Sequence, residues 1–203
     1  MKMSFAKVKE NLIALGYEVS EFETSAKANE YLSDKIVGKK VGIGGSMTVK
    51  EMGLYEKLKE KNDVSWHLIP DEGYTAMETI SRANGAEIYI SSVNALSENG
   101  EIINIDGTCN RISATLYGAI KVYLIIGKNK LAKDYDSALY RARNVAAPMN
   151  ARRLNKKTPC AAKADKCYNC KSPERICRAL TVFWTRPRGA EYEIVLINEN
   201  LGY

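Results

Sequence analysis

Four of the chain's five cysteines, Cys160, Cys167, Cys170 and Cys177, follow the pattern C-x6-C-x2-C-x6-C. A C-x2-C pair places two thiolates where they chelate one ion, and a flanking cysteine on each side completes a set of four sulfur ligands. Such a tetrahedral set suits zinc and iron–sulfur chemistry alike. Pro159, Asn169 and Pro173 supply turns between the ligands. The competing reading is of disulfides or idle thiols.

Two further segments carry polar chemistry beside turns. In VGIGGSMTVKEMGL, Val41 to Leu54, a strand runs into Gly44, Gly45 and Ser46, and a helix opens near Thr48. Glycines let a ligand approach the backbone, and a helix start offers free N–H groups to an anion. Neither GxxxxGK[ST] nor GxGxxG is present, so this is not a nucleotide loop of either type. The alternative is a tight turn capped by Ser46. In NALSENGEIINIDGTCNRIS, Asn94 to Ser113, the residues Asn94, Glu98, Asp106, Gly107, Asn110 and Arg111 gather at turns. Glu98 and Asp106 are the candidate acid–base groups, and Arg111 the candidate partner of an anionic substrate. Local turn hydrogen bonding explains the same residues without chemistry. Cys109 lacks a base near it in sequence. The single histidine, His67, reads as a packed or surface residue on a strand.

The elements that must hold these segments alternate between strand and helix. Helical spacing covers Ser4 to Gly16, Thr24 to Lys35, the stretch from Ser46 to about Lys61, Tyr74 to Asn84, Thr108 to Gly118 and Asp134 to Leu154, the last broken at Pro148. Strands are expected at Tyr17 to Phe22, Lys40 to Ile43, Val64 to Ile69, Glu87 to Ser92, Glu101 to Asp106, Lys121 to Gly127, Leu180 to Thr185 and Glu193 to Asn198. Asn99-Gly100 marks a hairpin, and the unbroken apolar run KVYLIIG fits a sheet covered on both sides. The fold class that follows is α/β, a three-layer α/β/α arrangement around a mostly parallel sheet. In such sheets ligands bind beyond the carboxyl ends of the strands. Gly44–Thr48, Asn94–Glu98 and Asp106–Arg111 all fall there.

With 45% hydrophobic and 27% charged residues the composition is that of a globular domain. The N-terminal stretch lacks the apolar core of a signal peptide, and no apolar run reaches membrane-spanning length. A cytoplasmic location is expected, where thiols stay reduced, which favours metal or cluster binding over disulfides. The net charge of +6 is uneven. Between Arg141 and Arg188 only Asp165 and Glu174 oppose a long series of lysines and arginines. That basic quarter is a solvated face, a counter-charge for thiolate-bound metal, or a site for an anionic substrate.

Together GIGGSMTVKEMGL, the stretch from Ser91 to Lys130 and KCYNCKSPERIC resemble the LUD domain family, which includes LutC-like lactate-utilisation proteins. The resemblance runs from about Phe5 to Asn198. It implies a fold of the NagB/RpiA/CoA-transferase type, forming one domain over residues 1–203 with a cysteine-rich loop at 158–178 inside it. It also implies a role in oxidising lactate to pyruvate beside iron–sulfur redox partners. Carried onto this chain, the matching positions are Gly44, Gly45, Ser46, Asn94, Glu98, Asp106, Gly107, Asn110 and Arg111. Glu98 is the nearest in position to the glutamate nucleophile of the CoA-transferases. The cysteine loop is not general to the family. Its spacing resembles the C-x6-C-x2-C-x5-C loop of endonuclease III-type DNA glycosylases, which implies [4Fe–4S] ahead of zinc.

The leading expectation is an accessory protein or subunit of lactate or organic-acid oxidation. It would bind a small anionic organic acid or phosphorylated ligand at the strand ends and a metal or cluster at the four cysteines. A stand-alone isomerase or CoA-transferase-like enzyme is the first alternative, and whether the protein is an enzyme stays open. A nucleic-acid-binding regulatory module ranks last, because no aromatic-rich RNA motif or helix-turn-helix is present. A homo-oligomer is compatible with the sequence, and a membrane partner is not expected.

Overall fold

A computed structural model of the chain describes residues 5–203. The strands are β1 (Glu18–Phe22), β2 (Lys40–Ile43), β3 (Asp63–Trp66), β4 (Ile88–Ser92), β5 (Ala95–Ser97), β6 (Ile102–Asp106), β7 (Lys121–Gly127), β8 (Leu131–Ala132), β9 (Ala179–Phe183) and β10 (Glu191–Ile197). Six form one sheet in the order β1-β10-β7-β4-β2-β3, and every pairing in it is parallel.

The α-helices are α1 (Phe5–Ala14), α2 (Ser25–Lys35), α3 (Met47–Glu51), α4 (Leu54–Lys59), α5 (Ala76–Asn84), α6 (Asn110–Leu116), α7 (Tyr135–Arg141), α8 (Ala147–Arg153) and α9 (Pro159–Lys163). Ser4, the expected start of the first helix, lies outside the described residues. The alternation of β7 shows how the sheet is covered. Val122, Leu124 and Ile126 face one core with Phe5, Val8 and Leu12 of α1. Tyr123 and Ile125 face a second core with Leu32 of α2, Val49 of α3 and Leu58 of α4. Successive side chains point to opposite faces, so an unbroken apolar run is what a strand between two helix layers requires. The three-layer α/β/α class is therefore the fold observed.

Three details differ from the sequence expectation, each for a local reason. The helix expected from Ser46 to Lys61 is two short ones, because Gly53 takes φ 66° and turns the chain between α3 and α4. The helix expected from Asp134 to Leu154 passes through a π-turn at Ala142–Ala146. Pro148 at the start of α8 has no N–H to give, and the Ala147 N–H reaches back to Ala142. Finally, Ala179–Phe183 does not join the main sheet. It pairs antiparallel with β6 in a second, four-stranded sheet of order β8-β5-β6-β9. The hairpin expected around Asn99-Gly100 joins β5 to β6, and this second sheet follows directly from the carboxyl end of β4.

Candidate functional site

A cavity of about 330 Å³ opens beyond the carboxyl ends of β2, β3 and β4. It collects Gly45, Ser46, Thr48, Asn94, Asp106, Gly107, Asn110 and Arg111 from segments far apart in the chain. Gly44 stands just behind this wall. A Cβ on it would meet the Tyr89 hydroxyl at 2.9 Å and Cγ of Arg111 at 3.1 Å. Glu98 is elsewhere: its carboxylate pairs with Lys7 at 2.5 Å, its backbone carbonyl accepts from Asn11, and it does not line the cavity. The geometry thus gives no support to Glu98 as a nucleophile at this site.

Within the cavity several residues are braces. Ser46 caps α3, its hydroxyl accepting from the Val49 N–H at 3.2 Å. Because α3 is only five residues long, capping is the role the geometry assigns to Ser46. Arg111 is fully engaged. Its guanidinium donates to the Ser92 and Ile105 carbonyls and to Oδ1 of Asn94 and Asn104, and its Nε lies 3.4 Å from Asp106 Oδ2. Four of the five donors of the fork are hydrogen-bonded within the protein and the fifth, on Nε, faces Asp106, so Arg111 fixes the ends of β4 and β6 and is not a free anion clamp. Arg141 plays a similar part, donating to the carbonyls of Asn94 and Asn129. Asp106 turns Oδ1 onto the N–H groups of Gly107 and Cys109. Its buried Oδ2 has the Arg111 ion pair but no hydrogen bond of good geometry.

The groups with capacity to spare are ones that sequence reasoning passed over. Lys130 is 3% exposed. Its ammonium donates to the hydroxyls of Thr48 and Ser92, both at 2.7 Å, and among the described residues it has no ion-pair partner within 4 Å. Burial, reinforced by Arg141 and Arg111 and only partly opposed by the Glu51 carboxylate, pushes it down to about 7. His67 lies in the turn after β3, not on a strand, and lines the same cavity. Burial lowers its basicity, Arg153 adds to this and Asp106 opposes it. Its Nδ1 is buried without a hydrogen-bond partner. Arg153, at the end of α8, completes the set, donating to Oδ1 of Asn150 and standing beside the Tyr203 hydroxyl. Both Lys130 and His67 follow the end of a parallel strand, the same position that marked Gly44 and Asn94.

The four loop cysteines line a second, much smaller cavity of about 20 Å³. Cys160 stands on α9, so the cysteine-rich segment is not wholly a loop. Guanidinium groups face the sulfurs: Arg175 donates to Cys177 Sγ at 3.3 Å and Arg143 approaches Cys167 Sγ at 3.9 Å. Thr158 contacts Cys160 Sγ at 3.3 Å. All five cysteines carry free thiols, and Cys109 lines neither cavity. Among the described residues no three His, Cys, Asp or Glu side chains are grouped so as to hold a metal ion. The cysteine segment nonetheless reaches the larger cavity. Ile176 lines both, and its carbonyl sits where a Cβ on Gly107 would come within 2.8 Å. Only glycine admits that contact.

A family model of the LUD domain matches residues 5–197. The chain belongs to the LUD domain family. That family is associated with lactate utilisation, and the match takes in the cysteine segment and all of the cavity lining except Gly202 and Tyr203. No curated protein matches the chain. Among solved structures, a DUF162 family protein from Deinococcus radiodurans, of the same family, superposes with TM-score 0.56 at 10% identity, covering 96% of this chain and 99% of that one. It shares the fold of this LUD domain. eIF2B beta from Chaetomium thermophilum matches at TM-score 0.34 and 16% identity, over 64% of this chain and 43% of that one. Among the described residues no helix is long and apolar enough to cross a membrane.

Proposed function

We propose that this LUD domain binds a small anionic organic acid or phosphorylated ligand in the strand-end cavity, as an accessory protein or subunit of lactate or organic-acid oxidation. The observation that carries the reading is Lys130. A buried ammonium whose only direct partners among the described residues are neutral hydroxyls lacks the contacting counter-charge that burial demands, and it lines a cavity that also holds Arg111 and Arg153 against the single carboxylate of Asp106. A bound carboxylate or phosphate supplies the missing charge. Calorimetric titration with lactate, pyruvate and inorganic phosphate tests this. Saturable binding by the wild type, lost in Lys130→Met, is the expected result, and heat-silent titrations with all three would overturn it.

The four cysteines are proposed to hold an iron–sulfur cluster, [4Fe–4S], or a zinc ion. The donor set fits either: four free thiols border one small cavity, and Arg143 and Arg175 face them as counter-charge for thiolate ligands. The thiols must draw together to do so, since they are not grouped as ligands as they stand. A cluster would supply one-electron transfer and zinc a structural clamp. Anaerobic purification with metal analysis distinguishes the two, and protein free of both metals would remove the proposal.

A further inference from the structure

The hydrogen bonds around Lys130 specify more than a positive charge. The Thr48 hydroxyl donates to the Leu201 carbonyl at 3.1 Å, and the Ser92 hydroxyl donates to the Ile125 carbonyl at 2.5 Å. Each hydroxyl has one hydrogen, and each is spent on a carbonyl. Both oxygens therefore accept from Nζ, which gives up two N–H groups to them. The third position on the nitrogen has no partner among the described residues. In the neutral amine that position is a lone pair and every N–H is satisfied. In the ammonium it is a third N–H, and it needs an anion.

We infer that the Lys130 side-chain nitrogen is a nucleophile that captures a small carbonyl-bearing acid, of the 2-oxo acid class, as an imine. The inference rests on the anion-binding reading of the same cavity and names the substrate class. Burial among apolar strands with other cations nearby is what keeps a lysine amine neutral and reactive near neutral pH. The depressed basicity of Lys130 agrees with this. The Nζ lone pair attacks the carbonyl carbon while the C=O π electrons move to oxygen, giving a carbinolamine. Loss of that oxygen as water, with two hydrogens from the nitrogen, leaves a C=N bond. No oxidant, reductant or metal is consumed. Arg153, held only through the side chains of Asn150 and Tyr203 among the described residues, is the cation placed to take the acid's carboxylate, since Arg111 spends both its NH1 and NH2 groups on the protein.

The test uses the intact wild-type chain, pyruvate as the probe, and borohydride to reduce any imine to a stable amine. Peptide mass mapping locates the adduct, and lactate, which has no carbonyl to condense, serves as competitor and as a separate calorimetric ligand. One adduct per chain on Lys130, suppressed by lactate and rising as pH is taken from below to above 7, is expected. Adducts scattered over exposed lysines, or none, while lactate still binds, would overturn the imine and leave anion binding standing. Failure of the adduct together with heat-silent titrations of lactate, pyruvate and phosphate would overturn the two together. An adduct on Lys130 without lactate binding would keep the imine and restrict the ligand to carbonyl acids.

Discussion

Glu193 and Lys130 are buried almost equally, at 2% and 3% exposure, near opposite ends of the same parallel strands. Glu193 lies toward the amino end of β10, in register with Glu18 at the start of β1. There Ser20, Tyr31 and Lys35 all donate to its carboxylate, between 2.8 and 2.9 Å. Burial alone would raise it, but those hydrogen bonds, led by Lys35, hold it below the usual carboxylate range. Lys130, just past the carboxyl end of β7, receives no such compensation. One buried charge is saturated and ties β1, α2 and β10 together. The other is short of a partner and borders a cavity. The arginines divide the same way, Arg111 consumed by the carbonyls and amides around it and Arg153 held by the side chains of Asn150 and Tyr203. Burial by itself does not separate structural from functional charge; the state of the partner list does.

That contrast can be broken most sharply through stability. Glu193→Ala should cost about 3 kcal/mol in urea unfolding, because Ser20, Tyr31 and Lys35 all lose the acceptor they share. Arg111→Ala should follow at about 3 kcal/mol, since carbonyls of Ser92 and Ile105 lose their donor. Lys130→Met should have the opposite sign and stabilise the protein below about pH 7, where the folded wild type still has to carry the buried charge. The sign follows from folding having depressed the group. Between about 7 and the ordinary 10.5 the unfolded chain carries the extra proton. Wild-type stability should therefore climb with pH across that window, and the climb should flatten in Lys130→Met. Arg153→Ala should weaken anion binding about tenfold with stability changed by less than about 0.5 kcal/mol. Glu98→Gln should do least, altering both by under about 0.5 kcal/mol, because the Lys7–Glu98 pair is a partly exposed surface bridge. A large loss of binding in Glu98→Gln would place chemistry outside the cavity.

The central strands of the main sheet, β4, β7 and β10, were legible because each is largely an apolar run bounded by turn residues. Gly45, Asn94, Asp106 and Arg111 were legible because such turns sit at strand ends. The second sheet was not, since β8 has two residues and β5 three, too few for any periodic pattern, and β9 finds its partner only through a nonlocal pairing. Lys130 lies in the polar stretch Lys128-Asn129-Lys130, where nothing local separates it from a surface lysine. Its burial is made by Thr48, Ser92 and the chain near Leu201 and Gly202, contacts that exist only in the folded state. His67 was misplaced because the apolar run VSWHLI hides the end of β3 at Trp66.

The sheet order carries one more consequence, for the timing of folding. β10 is the last strand in the chain, yet it lies between β1 and β7, bonded in parallel to each. A ribosome that has finished β7 has made a sheet without its second strand, and β1 has no partner until β10 arrives. Closing that gap joins Glu18 to Glu193 across most of the chain, a loop closure of high entropic cost that comes late. During synthesis the nascent chain therefore carries two open strand edges, on β1 and on β7, which are exposed to pairing with other chains until β10 slots between them.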